Sequence, residues 1–279
     1  LGLTDYHVFD AFVPLVEHDE RYPYTDVLDL VVHSVAPLGS NYQGWVREAF
    51  ANRWIDVYEN QGKRSGAYSA PVYGAHSYML LNYNDTLDAV FTLAHEIGHS
   101  IHTLLSNAHQ PFVYSAYTIF VAEVPSTLSE ALLLEFMLAR STDPTERIVL
   151  LQHAIDNITG TFFTQVLFAD YELRAHRLAE QEKPITADVL TETYTQLLKD
   201  YYGDALDQNP YTGMTWSRIP HFFNSPYYVY QYATCFASAA KLARQIMAGG
   251  AEADDARAGF LNLLRGGGSD YPMELLRPA

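Results

Sequence analysis

The chain has 279 residues, of which 48% are hydrophobic and 18% charged, enough apolar material for a sizeable core and too much for a disordered or low-complexity protein. Lys and Arg number 17 against 33 Asp and Glu, and the resulting charge of −16 repels phosphate backbones and anionic membranes, so neither is an expected partner. The single Cys235 excludes a disulfide framework and a cysteine zinc site, and no uncharged apolar run is long enough to span a bilayer. With no signal peptide and a start at Leu1, a trimmed chain from a reducing compartment, the cytoplasm, is the expectation.

In chain order, apolar spacing of three and four residues predicts helices over 24–36 and 42–54, separated by Pro37-Leu38-Gly39. Extended runs follow at 55–58, 66–69 and 77–83, with a turn at 60–63. Asn84-Asp85-Thr86 reads as an N-cap cluster for a helix reaching about Leu105, striped by Leu87, Val90, Phe91, Ala94, Ile97 and Ile101. A helix is predicted over 121–140, with Pro125 in its first turn or kinking it. Residues 145–182 read as one long helix or two joined near Gly160, and further helices are expected at 186–202, 226–248 and 251–264. The expected fold is mainly α, with one small β-sheet next to the helix at 86–105.

That helix carries His95-Glu96-Ile97-Gly98-His99. Histidines at i and i+4 project from one helix face, close enough for both imidazoles to bind one zinc ion. The intervening Glu96 leans beside the metal, where it can take a proton from water. With no thiol at hand, the remaining ligand is His, Asp or Glu. The pattern with a third histidine six residues after the second needs Gly at 102 and His at 105, whereas this chain has His102 and Leu105. His102 therefore reads as a helix-face group or a support for the ligands. A glutamate from a following helix is the other common solution, and Glu123, isolated among apolar neighbours, fits. Glu130 lies on the same face and could hydrogen-bond a metal-bound histidine.

These residues resemble a known family. Trp54 to Asn60, Gly62 to Ser69, Leu93 to Ser100, Ala122 to Ser126, Arg218 to Phe223, Tyr227 to Thr234 and Gly267 to Pro272 are similar, in order, to the catalytic part of oligoendopeptidase F. That enzyme belongs to the wider thimet-oligopeptidase-like family of zinc metallopeptidases. The resemblance implies a zincin-like helical catalytic domain over 1–279, holding one zinc ion through His95, His99 and Glu123 with Glu96 as general base. It also implies oxyanion stabilisation by His221 and Tyr230 and substrate contact by Tyr227 and Tyr228. The placement of roles within 227–232 stays open by one residue.

The peptide is expected along an edge strand within about 70–80, where His76 joins the substrate contacts. Short, unstructured peptides are the implied substrates. Family members are longer, so a missing N-terminal helical domain or a companion chain is the expected partner, and the closing helices are expected to be absent. The competing expectation is a zinc- and peptide-binding fragment that needs that partner for activity.

Overall fold

In the computed structural model, which describes residues 6–7, 10, 13–16, 19–206, 209 and 211–279, the chain divides into two compact units. One comprises Asp19–Leu150 and Cys235–Ala279, the other Leu151–Thr234 with the described residues of the first eighteen. In the first, α1 (Tyr24–Ser34) buries Val27, Val31 and Val32, and α2 (Ser40–Ala51) buries Tyr42, Val46 and Ala49. A three-residue 3-10 turn containing Pro37 and a left-handed Gly39 reverse the chain between them.

The sheet that follows is short: β1 (Ile55–Asp56), β2 (Tyr68–Ala70) and β3 (Tyr78–Leu80), in the order β1-β3-β2. Met79 stands opposite Ile55 in parallel pairing and opposite Ser69 in antiparallel pairing. This arrangement corrects one expectation. Tyr78–Leu80 has a strand on both sides, so within the 70–80 window only Ala70, at the end of β2, lies on an edge strand.

Thr86 caps α3 (Leu87–His109), its hydroxyl accepting the Ala89 N–H at 3.3 Å. The helix buries Leu93, Ile97 and Ile101 in a core shared with α1, α2, α5 (Ile119–Arg140) and α11 (Gly250–Gly266). A one-turn helix, α4 (Phe112–Ser115), precedes α5 and has no periodic signal in the sequence. Because α5 starts at Ile119, Pro125 falls in the second turn rather than the first. The proline ring gives up the bond to the Val121 carbonyl. Opposite it, a Cβ on Gly98 would lie 2.6 Å from both the Pro125 carbonyl oxygen and the Ser126 Cα. Glycine is thus what lets α3 and α5 touch backbone to backbone.

The second unit is built on α7 (Thr164–Glu180) and α8 (Ala187–Tyr202), the latter capped by Thr186. A helix α6 (Pro144–Asn157) continues through a π-helical turn at Ile158–Phe163 into α7, so the Gly160 region is a one-residue widening of an unbroken helix. Leu167, Phe168, Tyr171, Tyr194 and Leu197 form the core of this unit with Ile219 and Val229. Phe222, on α9 (His221–Asn224), packs edge-on to Phe168 with centroids 5.5 Å apart. The next helix, α10 (Tyr230–Ala248), begins four residues later than the periodicity suggests, because Tyr227 adopts a left-handed φ of 58° and interrupts it. A final short helix, α12 (Pro272–Leu276), follows Gly267 and Gly268.

Gly98→Ala should lower stability by about 1–3 kcal/mol, the range for overpacking a closed contact. Urea unfolding checks this, and an unchanged midpoint would show that α5 yields without strain.

Candidate metal centre

The i, i+4 spacing on α3 brings His95 and His99 to one face, and the Gly98 contact brings the first turns of α5 beneath them. The two Nε2 atoms lie 3.1 Å apart, and each lies 3.3 Å from Glu123 Oε2. Two residues of α3 and one of α5 thus bring one donor atom each to a common point. A tetrahedron with ligand distances of about 2.0–2.1 Å, the zinc–imidazole and zinc–carboxylate values, has edges of about 3.3 Å. The donor set and its spacing fit that ion.

Neighbours hold the donors in place. Glu130 Oε1 accepts the His95 Nδ1–H at 2.6 Å, which leaves Nε2 as the nitrogen facing Glu123. The Ser126 hydroxyl donates to Glu123 Oε2 at 2.9 Å. Glu96 is 6% exposed, and its Oε2 has no hydrogen-bond partner among the described residues. Burial raises its pKa, the charges of His95 and His99 lower it, and Glu123 and Glu130 raise it, for a net upward shift. A buried carboxylate with raised basicity and a free oxygen is suited to taking a proton.

Burial pushes His95 down, but hydrogen bonds with Glu123 and Glu130 outweigh it and hold the imidazole well above its ordinary value. Burial likewise pushes Glu123 up, and the hydrogen bonds from His95 and His99 carry it well below the carboxylate range. His102, three residues on, is fully buried, its ring stacked on Tyr117 at 3.5 Å. Desolvation, with a smaller push from His99, lowers its pKa to about 3, so it is a neutral plate. Tyr117 in turn shares a 2.9 Å hydrogen bond with Thr103.

The other expected site residues fall in two places. His76 stacks on Trp54 with centroids 4.9 Å apart and donates from Nδ1 to the Ser77 carbonyl at 2.7 Å. In the unit of α7 and α8, His221 stacks on Tyr228 at 5.1 Å and meets Tyr232 edge-on at 6.1 Å. Tyr230 opens α10 and is 41% exposed. Tyr227 lies against His176 at 4.5 Å, and its N–H donates to Glu172. Glu172 and His176 were not singled out from sequence. Their i, i+4 spacing on a helix is the same signal as the histidine pair, but without a surrounding motif it selects nothing.

An α3–α5 pair that gathers two imidazoles and a carboxylate around a buried glutamate, beside a small sheet, is a zincin-like arrangement. Residues 15–279 match the model of peptidase family M3, and the chain belongs to that family. It is 41% identical over 280 residues to oligopeptidase PepF of Bacillus subtilis, covering all of this chain and 41% of the relative. It is 42% identical to an oligoendopeptidase F homolog of Lactococcus lactis, covering 46% of that protein. Among solved structures, a chain from Chlamydophila abortus aligns with a TM-score of 0.85 at 41% identity, over 99% of this chain and 46% of that one. Oligoendopeptidase-F from Enterococcus faecium aligns at 0.71 and 30% identity, over 99% and 42% respectively. The chain spans less than half the length of these relatives.

Glu130→Gln should weaken zinc affinity about 10- to 100-fold, and Glu123→Ala by more, read by competition with a chromophoric chelator. In the chelated chain the His95 contribution to stability is complete below its unfolded value of 6.5 and fades as pH rises through the raised folded value. The Glu123 contribution is complete above 4.5 and fades as pH falls through the depressed value. His102, kept neutral in the fold, costs stability as pH falls below 6.5, so the metal-free chain should melt highest near pH 6.5 and lose stability above it. A melting temperature that climbs from pH 6.5 to 8 would contradict this assignment.

Proposed function

We propose that this chain is the catalytic part of a zinc-dependent oligoendopeptidase that hydrolyses internal bonds of short peptides. The observation that carries the reading is the triangle of His95, His99 and Glu123 donor atoms, 3.1–3.3 Å on each side, beside a buried Glu96. One zinc ion held there supplies Lewis acidity at the scissile carbonyl and acidifies water.

Glu96 takes the proton of the attacking water and hands it to the leaving amine nitrogen, a role its upward-shifted pKa favours. Glu130 fixes the His95 ring, and Ser126 fixes the Glu123 carboxylate. His221 and Tyr230 serve as the donors to the developing oxyanion. Tyr227, Tyr228 and His76 contact the peptide. The names of the oligopeptidase and oligoendopeptidase relatives support short peptides as the substrate class. We place the protein in the cytoplasm, where the Cys235 thiol would stay reduced.

The second reading keeps the metal and the peptide but removes turnover: a binding chain that acts only with further polypeptide. The share of the relatives' length it spans, 41% and 46%, favours keeping it in view.

Hydrolysis of a quenched fluorescent nonapeptide, with chelator and with added zinc, separates the two. Chelator-sensitive cleavage is expected, and Glu96→Gln should abolish it, with a loss of at least about 10²-fold, while zinc binding persists. Retained turnover in that variant would remove Glu96 from its role. Zinc bound without cleavage by the parent chain would favour the second reading.

A further inference from the structure

Tyr227 occupies left-handed backbone, φ 58°, a conformation that a bulky L-residue adopts rarely and keeps only when its surroundings hold it. A buried carboxylate does the holding. Glu172, on α7 and 5% exposed, accepts the Tyr227 N–H on Oε1 at 2.6 Å across 55 residues of sequence. One turn further along α7, His176 donates from Nδ1 to the Glu172 carbonyl at 2.8 Å and lays its ring against that of Tyr227, centroids 4.5 Å apart and 33° from parallel.

A carboxylate this deep is costly to bury unless it is bonded. Here its Oε1 is bonded to a main-chain amide in a segment that neither helix nor strand orders. The consequences sit at the surface. Tyr227 remains 47% exposed, its ring backed on one side by an imidazole. The residue after it, Tyr228, donates its N–H to the Ser225 carbonyl at 3.2 Å and stacks on His221. One buried carboxylate oxygen thus fixes the turn from which two tyrosines and the approach to α10 depart.

We propose that Glu172 is the positioning residue of a peptide subsite. It locks Tyr227 in a left-handed turn so that the ring, supported by His176, offers a preset flat face to an aromatic or proline side chain of the bound peptide. The inference rests on the peptidase reading for its ligand and on the Glu172 contact for its geometry. A ring fixed in advance loses little freedom when the peptide arrives, so the effect belongs in affinity rather than in bond cleavage.

The test uses the full chain stripped of metal, so that no turnover occurs, with a fluorescein-labelled nonapeptide containing phenylalanine as the probe. Fluorescence anisotropy gives affinity, and hydrogen exchange gives the protection of the Tyr227 amide. Glu172→Ala should lose amide protection and bind the peptide about five- to tenfold more weakly, the scale for ordering one side chain. Its zinc affinity should be unaltered. Glu172→Gln keeps an acceptor oxygen and should restore both readouts. Tyr227→Gly should keep the amide protected yet lose the affinity, since it retains the contact and removes the ring.

Unchanged amide protection in Glu172→Ala overturns the proposal. So does lost protection with unaltered peptide affinity. If Glu172→Ala does not fold, parent-like affinity in Tyr227→Gly overturns it alone. A parent chain that binds no peptide would instead overturn the peptidase reading and with it the subsite, while amide exchange would still decide whether Glu172 holds the turn.

Discussion

Everything at the metal centre depends on how closely two helix backbones can approach. A motif with two histidines supplies two donors on any well-formed helix, since 3.6 residues per turn guarantees it. The third donor must come from elsewhere in the chain, and its position is set by packing. At Gly98 the backbone of α3 meets Pro125 and Ser126 with no side chain between them, which puts Glu123, two residues before the proline, level with the histidines. The same contact is made by the Pro125 carbonyl and the Ser126 Cα, so the proline lies in the turn of α5 that touches α3. Glu130, two turns on, then reaches back to His95 along the same face. Glycine between the glutamate and the second histidine is therefore a geometric part of the metal triangle, although it donates nothing to it.

The buried carboxylates show how surroundings divide labour among identical groups. Glu123 faces two imidazoles and is driven toward the charged form, whereas Glu96 is held by no hydrogen bond at Oε2 and is driven toward the protonated one. Glu130 accepts an N–H from a ring and Glu172 one from the main chain. On the proposed reading, four acidic side chains in one chain would serve as donor to a metal, base, ring support and turn support, and the sequence writes all four as Glu.

That is also where legibility from sequence stops. The histidine helix, its N-cap at Thr86 and the long helices were readable because local periodicity and capping chemistry determine them. The place of Glu123 beside the two histidines was readable because an isolated carboxylate in apolar surroundings demands a partner. Strand order was not: β3 is central because β1 pairs with it in parallel although β2 comes between them in sequence, a long-range choice that no local pattern records. The start of α10 was missed for a related reason, since Tyr227 is turned left-handed by a glutamate 55 residues away. The π-helical turn at Ile158–Phe163 was half visible, as a glycine in a helical run.

The unit that contains the metal centre is discontinuous, with residues 19–150 completed by 235–279. Its core includes Tyr42 against Phe260, ring centroids 6.3 Å apart, and the Gln110 side chain donating to the Arg265 carbonyl at 2.9 Å. During synthesis, which proceeds from the N-terminus, the ligand helices leave the ribosome well before α11 does. The histidines and Glu123 are then exposed on a half-built core while the 84 residues from Leu151 to Thr234 are translated. Closure of this core therefore waits for α11, and a cation captured before then would act as a folding template for the helix that arrives last.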